Sequence, residues 1–218
     1  MRYPPEHKHA TRERILDAAA RLFRRDGFSA TGIDAVMAEA GLTAGAFYGH
    51  FKSKDELLHA SMEHFFATQQ GMREQGLDGL VGLEWVEALV DRYLSIEHMS
   101  DPEHGCVLPA LTPELSRATA SVRSVYQEQI VGWAQQLMQL LQVDEPELEQ
   151  DELRSLALGA IAAMVGGLSI ARVMPNSDRA AAMLQGARRL ARAAIRSGTG
   201  GHAVTSNIAR TTGVGAAR

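Results

Sequence analysis

The sequence predicts an all-α protein, and three observations carry that prediction. Apolar residues recur three and four positions apart along nearly the whole chain. No run alternates apolar and polar residues as a half-buried strand would. Glycines, prolines and cap-forming hydroxyl or acidic residues punctuate the apolar segments at helix-length intervals. With 218 residues, 45% hydrophobic and 22% charged, the chain can bury a sizeable core. That composition excludes a largely disordered chain, a collagen-like chain and a disulfide scaffold.

The elements follow in order. Ile15, Ala18, Ala19, Leu22 and Phe23 form one face of a helix over 11–26, with Arg12, Arg14, Arg21, Arg24 and Arg25 largely on the other. Gly27 ends it. Thr31 with Asp34 starts a short helix over 31–40, faced by Ile33, Val36, Met37 and Ala40. Gly41 breaks that helix, and Thr43 caps another over 43–50 that carries Phe47; Phe51 follows it. Ser53-Lys54-Asp55-Glu56 reads as a capping box opening a helix to about 68. Beyond a glycine-spotted joint, helices are expected over about 80–98, 104–117, 119–142, 147–173 and 178–197, the last capped by Ser177. Pro109 and Pro113 should kink or divide the segment 104–117. Leu156 to Ala171 is apolar but spans sixteen residues with three glycines, fewer than the ~20 a membrane span needs, so it reads as a buried helix.

Organisation follows from this pattern. Residues 1–10 are expected as a flexible arm without a secretory h-region, 11–58 as a helix-turn-helix domain whose last helix continues to about 68, 69–197 as a helical body, and 198–218 as a flexible tail. The charge is divided between them. Residues 1–54 hold nine Lys/Arg and six Asp/Glu, hence +3; residues 55–218 hold thirteen and twenty, hence −7; the sum is the net −4. A basic head on an acidic body suits a phosphate-binding module on a larger partner domain. Cys106 is the single cysteine, so no intramolecular disulfide forms and a cytoplasmic setting is expected.

Two short helices joined at Gly41-Leu42 need a third helix as a brace, and helix 11–26 is suitably amphipathic. The second helix presents Ala44, Gly45 and Ala46, small enough for close approach to a major groove, with Thr43, Tyr48 and His50 as polar groups in reach of phosphates or bases. The stretches RERILDAAARLFRRDGF and TGIDAVMAEAGLTAGAFYGHFKSKDELL resemble the DNA-binding domain of the TetR family of bacterial transcription regulators. The resemblance implies base contacts from Thr43, Ala44 and Ala46, and phosphate contacts from Thr31, Tyr48, His50 and Lys54. It places Phe47 and Phe51 in the domain core. Two residues depart from the family pattern. Met37 replaces a common alanine, which implies rearranged packing between the two helices. Ala46 replaces a frequent threonine, which leaves only a methyl for base readout.

The resemblance also implies a homodimer on double-stranded, near-palindromic operator DNA and an effector pocket in the body. Gly159, Ala163 and Gly167 form a small-residue face suited to a dimer interface, or to packing within the chain. Trp85, Tyr93, Met99, His104, Cys106, Trp133, Met138 and Met164 are the pocket candidates, a lining suited to an apolar small molecule. Cys106 lies near a helix start two residues from His104, where it reads either as a reactive thiol or as a small buried hydrophobe. His7, His9, His59, His64, His98 and His104 lack metal-site spacing, and no cofactor motif is present. The expected function is a ligand-responsive, DNA-binding regulator, a repressor released by a small molecule. The alternative is a helical enzyme or ligand carrier that uses the body alone, with Cys106 reactive.

Overall fold

The computed structural model describes residues 5–74 and 76–208. Among the described residues every regular element is helical. Helix α1 is Pro5–Asp26, α2 Ile33–Glu39, a 3-10 helix Ala44–Gly49, and α3 Lys54–Glu74. The chain continues through α4 Gly82–Tyr93, α5 Ile96–Ser100, α6 Val107–Leu115, α7 Ala120–Asp144, α8 Gln150–Arg172 and α9 Ser177–Ile208.

Several expected boundaries move. Residues 5–10 are not an arm: α1 begins at Pro5, whose fixed φ and missing amide proton suit a first helical turn. The expected tail from 198 continues α9 as far as Ile208, and its remainder lies outside the described residues. The segment 80–98 is two helices, because the backbone leaves helical geometry at Leu94, with ψ +36. Helix α6 is undivided. Pro109 falls in its first turn, where a missing N–H costs nothing, and the helix ends soon after Pro113. Asn176, not Ser177, caps α9: its Oδ1 accepts the Arg179 amide at 2.9 Å.

The chain divides into two compact units. The first joins the chain up to Asp78 with Ile96–Gly132, so it contains α1, α2, the 3-10 helix, α3, α5, α6 and the first half of α7. Its core is the apolar stripe of α1 (Ile15, Ala18, Ala19, Leu22 and Phe23) against Val36 and Met37 of α2, Phe47, Phe51, and Leu57, Leu58, Met62 and Phe65 of α3. Met37 is fully buried, so the larger side chain is absorbed by the core. Helix α6 also packs on α1.

The second unit joins Gly79–Ser95 with the chain from Trp133 onward. Its centre is the α8–α9 pair, the most extensive helix contact in the molecule. Leu153, Ala157, Ala160, Ile161, Met164 and Leu168 of α8 are buried, as are Ala180, Leu184, Ala187, Ala191 and Ile195 of α9. Helix α8 is long and apolar enough to cross a membrane, but its buried stripe is spent on this packing.

Three arginines of α9 tie it to α4 and its C-terminal end. Arg188 donates to the Leu94 carbonyl at 2.7 and 3.0 Å, Arg192 pairs with Asp91 at 2.5 Å, and Arg196 pairs with Glu87 at 2.5 Å. Their spacing of four residues matches the receding ladder on α4.

Gly167 corrects an expectation about the small-residue face. It is buried, and a Cβ there would overlap the Cβ of Ala187, so Gly167 serves close approach of α8 to α9 inside the chain. Gly159 is exposed, and a Cβ there would meet Ala194 at an ordinary 3.7 Å. Opposite outcomes follow for one chemical change. Gly167→Ala should destabilise the protein by about 1–3 kcal/mol through overpacking. Gly159→Ala should be neutral or stabilise by up to about 1 kcal/mol through helix propensity. Denaturant unfolding of the two variants reads both; equal effects would remove the distinction between the two glycines.

Candidate nucleic-acid interface

Helix α2 ends because Gly41 adopts φ +68. Its amide bonds the Ala38 carbonyl at 2.9 Å and the Leu42 amide bonds the Met37 carbonyl at 2.8 Å, the paired closure that a left-handed residue permits. The Arg14 guanidinium, arriving from α1, donates to the Ala40 carbonyl beside the turn. The chain therefore reverses tightly, and its second arm starts in a defined place.

That second arm is a 3-10 helix rather than an α-helix. It has only six residues, and Gly45 and Gly49 weaken any α-helical preference. Phe47 anchors it: fully buried, it packs edge-on to Tyr48 at 5.2 Å between ring centroids and tilts over Phe51 at 5.8 Å. With Phe47 inward, Thr43, Ala44, Gly45 and Tyr48 face outward. Tyr48 is 73% exposed, although one edge of its ring meets Phe47. Thr43 makes no side-chain cap bond, which leaves its hydroxyl available. Ala46 is half-buried.

The residues expected at phosphates separate into two groups. Tyr48 and His50 stay at the outer edge. His50 is half-buried, with Nδ1 buried and without a hydrogen-bond partner. Burial, then the nearby charges of Lys8 and Arg12, pushes its pKa below the ordinary imidazole value, so at neutral pH it offers a neutral ring. Thr31 is corrected. Its side chain is buried and its hydroxyl donates to the Gly27 carbonyl at 2.7 Å, closing the end of α1 instead of facing solvent. Neither does it cap α2, whose N-cap is Gly32. Lys54 is half-buried and turned back: its Nζ lies 4.3 Å from the Phe28 ring centroid and 3.5 Å from the Ser29 carbonyl oxygen. At the start of α3, the Ser53 Oγ accepts the Glu56 amide at 3.1 Å, and Glu56 reaches back to the Lys52 amide at 2.8 Å.

Sequence reasoning missed two cations. Lys8 and Arg12 are one turn apart on α1, and both act electrostatically on His50 at the end of the 3-10 helix. The Arg12 guanidinium lies 4.8 Å from the Phe51 ring centroid, which positions it. Their spacing of four residues was the available signal, but it becomes informative only when α1 starts at Pro5. The other α1 arginines are engaged nearby: Arg21 with Glu39 at 3.0 Å, Arg25 with Asp26 and Glu103, and Arg24 with the Glu103 carbonyl at 2.6 Å. Arg24 was expected on the solvent face. It is instead buried against the Phe65 ring, and burial brings its pKa down to about 10.

The pocket candidates do not gather in one unit. Trp85, Tyr93, Trp133, Met138 and Met164 are buried in the second unit, where the Tyr93 and Trp133 rings lie 5.7 Å apart. Met99, His104 and Cys106 belong to the first. His104 pairs with Asp101 at 3.0 Å rather than with the thiol. Cys106 is half-buried at the N-cap of α6, and its amide donates to His98 Nε2 at 3.0 Å. That imidazole nitrogen is committed to the backbone, which leaves it unable to serve as a base for the sulfur. An open cavity of about 310 Å³ lies between α1 and α3, where His9, Arg12, Glu13, Glu63 and His64 surround Leu16, Ala60 and Ala67; none of the expected pocket residues lines it.

Comparison with known proteins agrees with this geometry. Residues 15–61 match the family described as bacterial regulatory proteins, tetR family, and residues 82–187 match the tetracyclin repressor-like C-terminal domain. The HTH-type transcriptional regulator AcrR of Shigella flexneri is 49% identical over 47 residues, 22% of this chain and 22% of its own. The HTH-type transcriptional regulator SrpR of Pseudomonas putida is 38% identical over 90 residues, 40% of each chain. These alignments therefore span less than half of the curated relatives. A solved TetR transcriptional regulator from Chloroflexus aurantiacus superposes with a TM-score of 0.69 at 27% identity, over 86% of this chain and 96% of that one.

The interface generates one prediction. Arg12→Ala should weaken binding to all duplexes alike and reduce the salt slope by about one unit. Arg21→Ala, whose partner is Glu39, should leave the slope unchanged. Fluorescence anisotropy over a salt series separates them, and equal slopes for both variants would remove Arg12 from the interface.

Proposed function

Because the chain belongs to the tetR family of bacterial regulatory proteins, we propose that it is a DNA-binding transcriptional regulator. It acts as a repressor that leaves a near-palindromic operator when a small molecule binds its body. The carrying observation is the outward face of the 3-10 helix: Thr43, Ala44, Gly45 and the 73% exposed Tyr48, rigidly backed by Phe47 and flanked by Lys8 and Arg12. Small residues permit close approach to a groove, while the phenol and flanking cations suit the phosphate backbone. Thr43 and the methyls of Ala44 and Ala46 serve the base edges, and Tyr48 and His50 the phosphates.

A homodimer is part of the same proposal. Leu158, Ala162 and Ile170 along α8 and Val173 just after it are exposed, and Leu190 of α9 is 63% exposed. An apolar stripe of this kind on two packed helices suits a second copy of the chain, giving two recognition helices for a two-fold site. Gly159 and Ala163 lie on or beside that stripe. The apolar side chains Trp85, Tyr93, Trp133, Met138 and Met164 are proposed as the effector-responsive core of the body, and the working compartment is the cytoplasm.

Binding to DNA from the protein's own upstream region, in the nanomolar range at moderate salt and lost on a scrambled duplex, tests the reading; equal affinity for both duplexes would overturn it. Leu190→Asp should convert the dimer to monomer in light scattering and weaken operator binding by at least tenfold, because half-sites then bind singly. A dimer of unchanged stability would place the interface elsewhere.

A further inference from the structure

We infer that Glu114 of α6 is a positioning residue for DNA binding: its carboxylate fills an anion receptor on the α1–α2 turn and holds Lys54 back from the phosphate backbone. The inference rests on the DNA-binding reading above and assigns a control element to that site.

The receptor is made of three donors and one cation. Gly27, at φ +87, turns the chain so that the successive amides of Phe28 and Ser29 converge. Convergent backbone amides of this kind bind anions. The Phe28 amide donates to Glu114 Oε1 at 3.0 Å; the Ser29 amide and hydroxyl donate to Oε2 at 2.7 and 2.6 Å. A Cβ on residue 27 would lie 2.6 Å from Oε1, so the glycine also clears the space that the carboxylate uses. Lys54 supplies the cation, resting on the Phe28 ring and the Ser29 carbonyl.

Burial pushes the Glu114 carboxyl up, but the bonds from Ser29 and Phe28 and the charge of Lys54 hold it below the ordinary carboxylate value. It is therefore ionised at neutral pH. Paired amides, a hydroxyl and an ammonium make up the donor set that recognises phosphate oxygens. Here the amides and the hydroxyl bind a carboxylate delivered from 85 residues away, by a helix that packs on α1, and the ammonium rests on the neighbouring Phe28 ring and Ser29 carbonyl. The Ser29 contacts are at the surface, where a phosphodiester has access. While Glu114 stays, it occupies the donors, and its charge acts on Lys54, which rests on the adjoining Phe28 ring and Ser29 carbonyl. When α6 withdraws, both are released to the DNA.

The test measures binding of the full-length protein to operator and scrambled duplexes over a salt series. Glu114→Gln should tighten both duplexes alike, by about three- to tenfold at low salt, and steepen the salt slope by about one unit. Adding Lys54→Met should erase that gain. A Glu114→Asp variant, with its charge withdrawn by one methylene, should show part of it. An unchanged slope in either folded variant, or a gain that persists with Lys54→Met, overturns the inference. A second readout is independent of DNA. Inorganic phosphate titrated into Glu114→Ala should shift the Phe28 and Ser29 amide resonances saturably and leave those of wild type in place. Equal shifts in both proteins, or none in either, overturn it as well. Failure of wild type to bind any duplex would count against the DNA-binding reading alone, since the phosphate titration still decides the receptor.

Discussion

A seven-residue α-helix followed by a six-residue 3-10 helix cannot hold its own geometry, because so few hydrogen bonds do not offset the cost of nucleation. The proposed recognition face therefore depends on one constraint, the burial of the apolar stripe of α1. Ile15, Ala18, Ala19, Leu22 and Phe23 receive Val36 and Met37 from one side and the α3 leucines from another. Phe47 and Phe51 then fix the 3-10 helix to that base. Every outward atom, from the Thr43 hydroxyl to the Tyr48 ring, is placed by what its neighbours bury.

The polar surface of α1 follows the same economy. Its arginines hold neighbouring elements in place: Arg14 closes α2, Arg21 reaches Glu39, and Arg24 and Arg25 secure the segment before α6. Lys8 and Arg12 are the α1 cations that lie beside His50. The +3 charge of the head is thus a poor measure of its phosphate-binding capacity, because most of it is matched locally. The second unit repeats the device, with Arg188, Arg192 and Arg196 of α9 gripping α4.

Legibility in the sequence depended on how local each feature is. The capping box at Ser53 and Glu56 and the break at Gly41 are local, since each needs only a few adjacent residues. Thr31 was misread because a threonine before a helix can cap forward or bond backward, and the path of α1 decides which. Gly167 stayed open between a dimer interface and packing within the chain because spacing shows a small-residue face without showing which helix approaches it. Ser177 lost the cap to Asn176 through a one-residue shift that local propensity does not resolve.

By itself the sequence determined the helical class, most of the helices and the helix-turn-helix with its reversal at Gly41. These are short-range consequences of periodicity, glycine placement and capping chemistry. Tertiary structure alone decided where the charges go. Lys54 folding onto Phe28, Arg24 becoming buried and Glu114 reaching Ser29 join residues far apart along the chain. Such pairings have no period to detect. They exist because α3 and α6 both lie against α1, and that packing sets which ions meet each other and which remain for a partner.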